Sequence, residues 1–314
     1  MRTTDAAATD VANGRAAGPV HRDALFRDTK DRVVAPPLLP DGVRLADTHA
    51  HLDMLHDPGL ALARAAANAV SYVATVIDPT EDPAYTCNSL DGWIAEACGL
   101  IDEWGMDYKA PTVSIIAGCH PHNASRYDEG IEQALRATLA DARARALGEI
   151  GLDYHYDKSP RDTQQAVFRR QLQLAHELGV PVALHVREAH ADGLRILVEE
   201  GLPQAGVLLH CFNLDYATLE PFLELGCHVA FGGPLTFKKS DEVREAARRA
   251  PLERVVTETD APFMAPHPVR GVVCGPEHVA YTARCLAEAC GRGDDPALYH
   301  TVFQNALDFF REAY

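Results

Sequence analysis

The sequence predicts an α/β fold: one (β/α)8 TIM barrel with a metal site at its C-terminal face. Three observations carry this expectation. Eight short, β-branched apolar runs follow one another along the 314 residues, separated by stretches of helical spacing. No GxGxxG follows the first run and no P-loop occurs, so the usual signals of an open nucleotide-binding sheet are missing. Metal-competent side chains fall at the C-terminal ends of the runs, the ends that converge on one mouth when a barrel closes.

The expected strands are VRLADTH (43–49), VSYVATVI (70–77), TVSIIAG (112–118), RALGEIG (145–151), VPVALHV (180–186), AGVLLHC (205–211), CHVAFGG (227–233) and RVVTETD (254–260). RDTQQAVFRRQLQLAHELG repeats apolar and small residues at helical spacing and stops on glycine, and DYATLEPFLELG does the same. GPEHVAYTARCLAEAC and PALYHTVFQNALDFFREAY read as two closing helices. The stretch between the second and third strands is long and places Trp93 and Trp104 on an extra helical turn. Residues 1–40, rich in Ala and Asp at their start, read as a flexible N-terminal leader, and 41–314 as the barrel domain.

Bulk properties narrow the function. The formal charge of −16 argues against tight, extended nucleic-acid binding, which needs a basic face, but not against cutting a phosphodiester. No run approaches the roughly 20 apolar residues of a membrane span, and the N-terminus lacks the pattern of a secretory signal. The eight cysteines, at 87, 98, 119, 211, 227, 274, 285 and 290, contain no CxxC pair. They read as reduced thiols and place the protein in the cytoplasm. No membrane or protein partner is expected.

The chemistry lies at the strand ends. His49 and His51 end the first strand, Glu149 the fourth, His185 the fifth, His210 the sixth and Asp260 the eighth. Two residues apart on an extended chain, His49 and His51 point to the same side. Four imidazoles and two carboxylates suit zinc, manganese or magnesium. Six donors exceed what one catalytic ion with an open position uses, so two divalent ions bridged by a carboxylate are expected, on the order of 3.5–4 Å apart. Glu149, central in the set, is the natural bridge. Any one of these histidines alone would more often be structural; the joint pattern carries the reading. His56, His176, His190 and His300 read as surface or helix residues, and nothing marks Cys119 or Cys211, beside the site, as reactive.

The stretches DTHAHLD (47–53), GCHPHNA (118–124), GEIGLDYHYD (148–157), PVALHVREA (181–189), HCFN (210–213), FGG (231–233) and ETDAPFMAP (258–266) together resemble the TatD family of metal-dependent deoxyribonucleases, within the amidohydrolase-like barrels. The resemblance runs from about residue 43 to the C-terminus, and the stretches keep the family's order. It implies that His49, His51, Glu149 and Asp260 hold one ion, and Glu149, His185 and His210 the other. It implies that His120 and His122 face substrate and that Arg187 contacts phosphate. It also implies a magnesium- or manganese-dependent nuclease acting on DNA from the 3′ end. One segment departs: where the family shows a stretch like RGKRNEP, this chain reads Arg270-Gly271-Val272-Val273-Cys274-Gly275-Pro276.

The implied mechanism is in-line attack on phosphorus by an ion-activated water, with Glu149 and Asp260 as the catalytic carboxylates. Asp260 takes the water's proton and Arg187 grips the phosphate. Single-stranded DNA or an oligonucleotide is the expected substrate, with Lys238 or Lys239 as further cations. Two readings compete: a two-metal hydrolase of a small ester, lactone or amide, or of aminoacyl-tRNA, on the same site, and a non-catalytic scaffold. Glu149, standing where many amidohydrolase barrels carry a carboxylated lysine, favours the TatD reading.

Overall fold

The structure, a computed structural model, describes residues 21–81 and 83–312. Eight parallel strands follow one another around one sheet in chain order: β1 (Leu45–Ala50), β2 (Val70–Ile77), β3 (Thr112–Ala117), β4 (Ala144–Asp153), β5 (Val182–Arg187), β6 (Val207–Leu209), β7 (His228–Phe231) and β8 (Val255–Thr257). The seam between β8 and β1 is closed by a parallel bridge between Ala50 and Ala261. Two threonines lock it: Thr48 Oγ1 donates to the Thr257 carbonyl at 3.1 Å and Thr257 Oγ1 to the Ala46 carbonyl at 3.0 Å. The expected TIM barrel is the observed fold.

Nine helices occur among the described residues. They are α1 (Pro58–Ala67), α2 (Pro83–Trp104), α3 (Glu129–Leu139), α4 (Arg161–Leu178), α5 (His190–Glu200), α6 (Tyr216–Leu225), α7 (Asp241–Arg249), α8 (Val279–Ala289) and α9 (Pro296–Phe310). Asp57, Asp128 and Asp215 cap α1, α3 and α6 by accepting from a backbone N–H three residues on, satisfying donors that the first turn leaves open. The long β2–β3 connection is one helix of 22 residues, not an extra turn.

The barrel is lined by small and branched residues, with Ala46, Ala74, Ala146, Ala183 and Ala230 among Val76, Ile116, Leu208 and Val256. Phe303, Leu307, Phe309 and Phe310 of α9 join this cluster, and Phe310 packs 5.6 Å from Tyr72. Glu312, just past α9, pairs with Arg145 near the start of β4. The C-terminal helix therefore covers the N-terminal ends of the strands and leaves the C-terminal mouth for function.

Part of the expected leader belongs to this body. Residues 1–20 lie outside the described ones, but between 21 and 40 the chain lies against the barrel. Phe26 is 3% exposed and sits edge-on to Tyr281 at 4.8 Å. The hydroxyl of Tyr281 donates to the Ala35 carbonyl and Arg284 to the Leu38 carbonyl, both at 2.8 Å. Arg64 and Asn68 donate to the Asp23 and Ala24 carbonyls as well, and His21 stacks on Trp104 at 5.1 Å, so ring contacts and four backbone acceptors hold this segment in place.

Candidate metal centre

β4 sets the centre of the site. Glu149 and Asp153 lie four apart on an extended strand and so share a face. β4 then runs so close to β5 that a Cβ at Gly151 would lie 1.9 Å from the His185 carbonyl oxygen; with φ at +141° this position takes glycine alone. That close approach brings His185 against Glu149.

Five imidazoles surround the Glu149 carboxylate. His185 Nδ1 and His210 Nε2 lie 2.6 and 2.7 Å from Oε1, and His120 Nε2 3.6 Å from it. His49 Nε2 and His51 Nε2 lie 3.4 and 3.9 Å from Oε2. Asp260 Oδ1 is 3.6 Å from His51 Nε2. Donor atoms fall into three groups whose members lie within 4.8 Å of one another: His49, Glu149 and His210; His49, His51 and Asp260; His120, Glu149 and His185. All six expected donors thus meet in one place, and His120, expected only at the substrate side, joins them.

The side chains present fit a metal. His49 is fully buried, yet neither ring nitrogen has a hydrogen-bond partner. A buried polar atom left so is costly unless something else satisfies it, and a cation on an imidazole nitrogen does. Charges within the cluster are strongly coupled. Burial opposes ionisation of Glu149, but the imidazoles of His210, His120, His49 and His185 outweigh it and hold the carboxyl well below its ordinary range. Burial works against protonated His210, and the Glu149 and Glu258 carboxylates reverse this and raise it well above 6.5. Burial, followed by His210, keeps His49 low and neutral, the form that binds metal.

Further carboxylates stand behind these side chains. Asp153 Oδ2 lies 2.8 Å from His122 Nε2 and 3.2 Å from His185 Nε2. Glu258 Oε1 lies 3.4 Å from His210 Nδ1 and accepts the Cys211 N–H at 2.6 Å. Asp47 accepts from the Thr259 N–H and hydroxyl at 2.8 and 2.6 Å, tying the end of β1 to the chain after β8. Asp153 and Glu258 were not among the expected site residues. The period-2 spacing that linked His49 with His51 points to both, since Asp153 is in step with Glu149 and Glu258 with Asp260.

The expected substrate residues line the same mouth. His122 faces Asp153 rather than Glu149, and its ring meets Tyr156 edge-on at 5.4 Å. Arg187 ends β5 with its guanidinium 4.8 Å over the Tyr156 ring; among the described residues it has no carboxylate partner. Lys238 and Lys239 are exposed on the loop between β7 and α7. In the departed segment Arg270 stacks on Phe237 at 3.8 Å, Val273 is exposed and Cys274 is buried. A Cβ at Gly275 would fall 2.3 Å from Glu277 Oε2: a buried carboxylate from two residues downstream occupies the space beside that glycine.

The bland readings hold elsewhere. His176 reaches the Gly201 carbonyl at 3.1 Å, and His190 sits edge-on to Phe212 and Phe222. All eight cysteines are free thiols. Burial, then the nearby carboxylates of Asp260, Glu258 and Glu149, pushes the Cys211 thiol well up, away from a reactive thiolate.

A closed parallel barrel with a histidine–carboxylate centre at its C-terminal mouth defines a class, the metal-dependent hydrolase barrels. Comparison with known proteins narrows it. The profile of the TatD related DNase family matches residues 46–311, and the chain belongs to that family. It is 35% identical over 245 residues to the uncharacterized metal-dependent hydrolase YabD of Bacillus subtilis, covering 78% of this chain and 90% of that protein. It is also 35% identical over 270 residues to the human 3′-5′ RNA nuclease TATDN2, covering 83% of this chain and 34% of that protein. Among solved structures, the TatD homolog YJJV of Escherichia coli superposes with a TM-score of 0.71 at 26% identity, over 86% of this chain and 99% of that one. The protein is a metal-dependent hydrolase of the TatD family. No helix among the described residues is long and apolar enough to cross a membrane.

Proposed function

We propose that this protein is a TatD-type deoxyribonuclease that trims single strands from the 3′ end with two divalent ions. The observation that carries the reading is the position of Glu149, a single buried carboxylate shared by two of the donor groups. His49, His51 and Asp260 form a donor group of their own, which Glu149 Oε2, 3.4 Å from His49 Nε2 and 3.9 Å from His51 Nε2, joins in our assignment of one ion's set; His185 and His210, both within 2.7 Å of Glu149 Oε1, serve the other. Magnesium, manganese and zinc all suit these donors. Bound, such ions acidify a water and neutralise charge on a phosphate.

The chain's own groups supply the rest. Asp260 Oδ1 is engaged by His51, which leaves Oδ2 to accept the proton of the attacking water. Arg187, free of carboxylates, donates a bidentate pair of N–H groups to the non-bridging phosphate oxygens. Asp153 orients His185 from behind, and the Glu258 carboxylate, 3.4 Å from His210 Nδ1, favours positive charge on that ring, while each imidazole presents one nitrogen to Glu149. The eight free thiols favour a reducing compartment such as the cytoplasm.

A second reading has one observation behind it. Val272 and Val273 replace basic residues at the mouth, and exposed Val273 suits an uncharged ester or lactone better than a phosphate chain. The deciding experiment presents metal-reconstituted protein with 5′-labelled single-stranded DNA, the matching RNA, and a panel of esters and lactones. Stepwise shortening of the DNA supports the proposal. Shortening of the RNA alone moves the substrate to RNA, and turnover only of esters or lactones replaces the nuclease reading with the second one.

A further inference from the structure

We infer that Tyr156 and Phe263 are base-stacking platforms that seat two unstacked nucleobases of a single strand on either side of the metal centre. The inference rests on the nuclease reading and deepens it, because it names what recognises the substrate once phosphate contacts are few.

The two rings stand on opposite rims. Tyr156 follows β4 and Phe263 follows β8, and in a ring of eight strands in chain order these positions face each other across the mouth. Each ring touches a site histidine edge-on: Tyr156 meets His122 at 5.4 Å, and Phe263 meets His51 at 6.1 Å. Both are left open to solvent, Tyr156 at 54% and Phe263 at 48% exposure. A lone exposed aromatic ring needs no explanation, but two that flank one polar centre from opposite sides set exposed apolar surface on both sides of a charged group.

The charge around the rings identifies the occupant. Arg187 lies over Tyr156 at 4.8 Å and Lys158 reaches the same ring at 5.7 Å, while His155 packs edge-on at 4.8 Å and pairs with Glu188. Cations held on an aromatic face beside a metal centre suit a ligand that alternates anionic and flat aromatic parts, as a nucleic-acid strand does. A hydrophobic peptide would leave Arg187 without an anion, and a small ester would reach one ring only. Bases can meet these rings only when unpaired, because a duplex buries their faces against one another. Stacking is indifferent to base identity, so the platforms select unpaired bases and not a sequence.

The test uses an end-labelled single-stranded oligonucleotide and the same strand with abasic residues at its last two positions. Wild-type protein is expected to cleave the abasic strand with KM raised on the order of tenfold or more, the size expected for losing a stacked base. Tyr156→Ala and Phe263→Ala are expected to raise KM for the intact strand by a similar factor, more than they lower kcat, and to discriminate less between the two strands. Tyr156→Phe and Phe263→Tyr should restore the discrimination. Thermal melting and metal content identify variants that have merely lost structure. Cleavage of both strands with equal KM by wild-type protein overturns the stacking inference alone. Absence of cleavage of either strand, with turnover of an ester or lactone, overturns the nuclease reading and this inference with it.

Discussion

Glu258 lies 3.4 Å from Nδ1 of His210, whose Nε2 lies 2.7 Å from Glu149. The imidazole thus stands between two buried carboxylates, one at the centre of the site and one behind it; Nδ1 makes no hydrogen bond, so Glu258 acts on the ring through its charge. Removing Glu258 leaves Glu149 in place but takes away the negative charge behind the ring and the acceptor of the Cys211 N–H beside it. Loss of such a supporting carboxylate generally costs about 10–100-fold in metal affinity. Glu258→Ala is therefore expected to weaken metal binding by that order in a competition titration, with Glu258→Gln, which keeps an acceptor oxygen, less affected. An unchanged affinity in both variants would rule out the positioning role.

Metal content tests the centre itself. Two ions per chain are expected after mild loading and elemental analysis, on the two-metal reading. Glu149→Ala should lose both, because Glu149 is the member shared between donor groups. A reproducible content near zero, with full activity in chelator, contradicts the two-metal assignment outright.

Asp260→Asn separates chemistry from binding. The amide keeps an oxygen toward His51 but accepts a proton poorly, so at least one ion should remain while kcat falls on the order of 10²-fold or more. Wild-type turnover in this variant removes Asp260 from the role of proton acceptor.

Much of this centre was legible in the sequence because strand ends and a period of two are local properties. The eight strands appear where the β-branched runs place them, and the six expected donors converge. What was not legible depends on the third dimension. β6 was expected over 205–211 but is only Val207–Leu209, because Gly206 and Cys211 take positive φ and the Cys211 N–H turns toward Glu258. Helix α2 was read as an extra turn because glycines and polar residues blur its apolar spacing. The chain from 21 to 40 reads as a leader because it continues the Ala- and Asp-rich start and shows no strand or helix spacing, whereas its attachment depends on Phe26 and on distant side chains, among them Arg64, Tyr281 and Arg284. Tyr156 and Phe263 lie within the stretches 148–157 and 258–266 that carry the family resemblance, but nothing in the sequence relates one to the other; only barrel closure sets them opposite each other.

The barrel floor is expected to be acid-sensitive. His228 begins β7, its Nδ1 is buried without a hydrogen bond, and its ring lies 5.3 Å from Phe309. Burial, with Arg254 nearby, pushes its pKa down from 6.5 to about 4. The unfolded chain then binds the extra proton more readily, so the contribution of neutral His228 is fully present above its unfolded pKa and is lost as pH falls toward the folded one. His228→Leu should melt with a shallower pH dependence than wild type between pH 6.5 and 4. Parallel pH profiles for the two proteins would exclude His228 as the source.

Salt dependence and end preference test how the substrate is held. With a net charge of −16, the surface beyond the mouth repels phosphates instead of gathering them. Arg187, His122 and the exposed Lys238 and Lys239 can serve only one or two phosphates, and Val272 and Val273 add none. Each phosphate neutralised on a single strand contributes a slope of about −0.7 to log K against log salt, so affinity should fall with a slope no steeper than roughly −1.5. A chain end enters the mouth without bending flanking strand over an acidic surface, whereas an internal site cannot. Weak, end-directed trimming of single strands is therefore expected, with poor activity on intact duplex. The assay places end-labelled linear oligonucleotides beside a covalently closed single-stranded circle across a salt series. Efficient cutting of the circle defeats the end preference. A slope of several units would mean that a cationic track beyond Arg187, His122, Lys238 and Lys239 follows the strand, and would overturn the prediction.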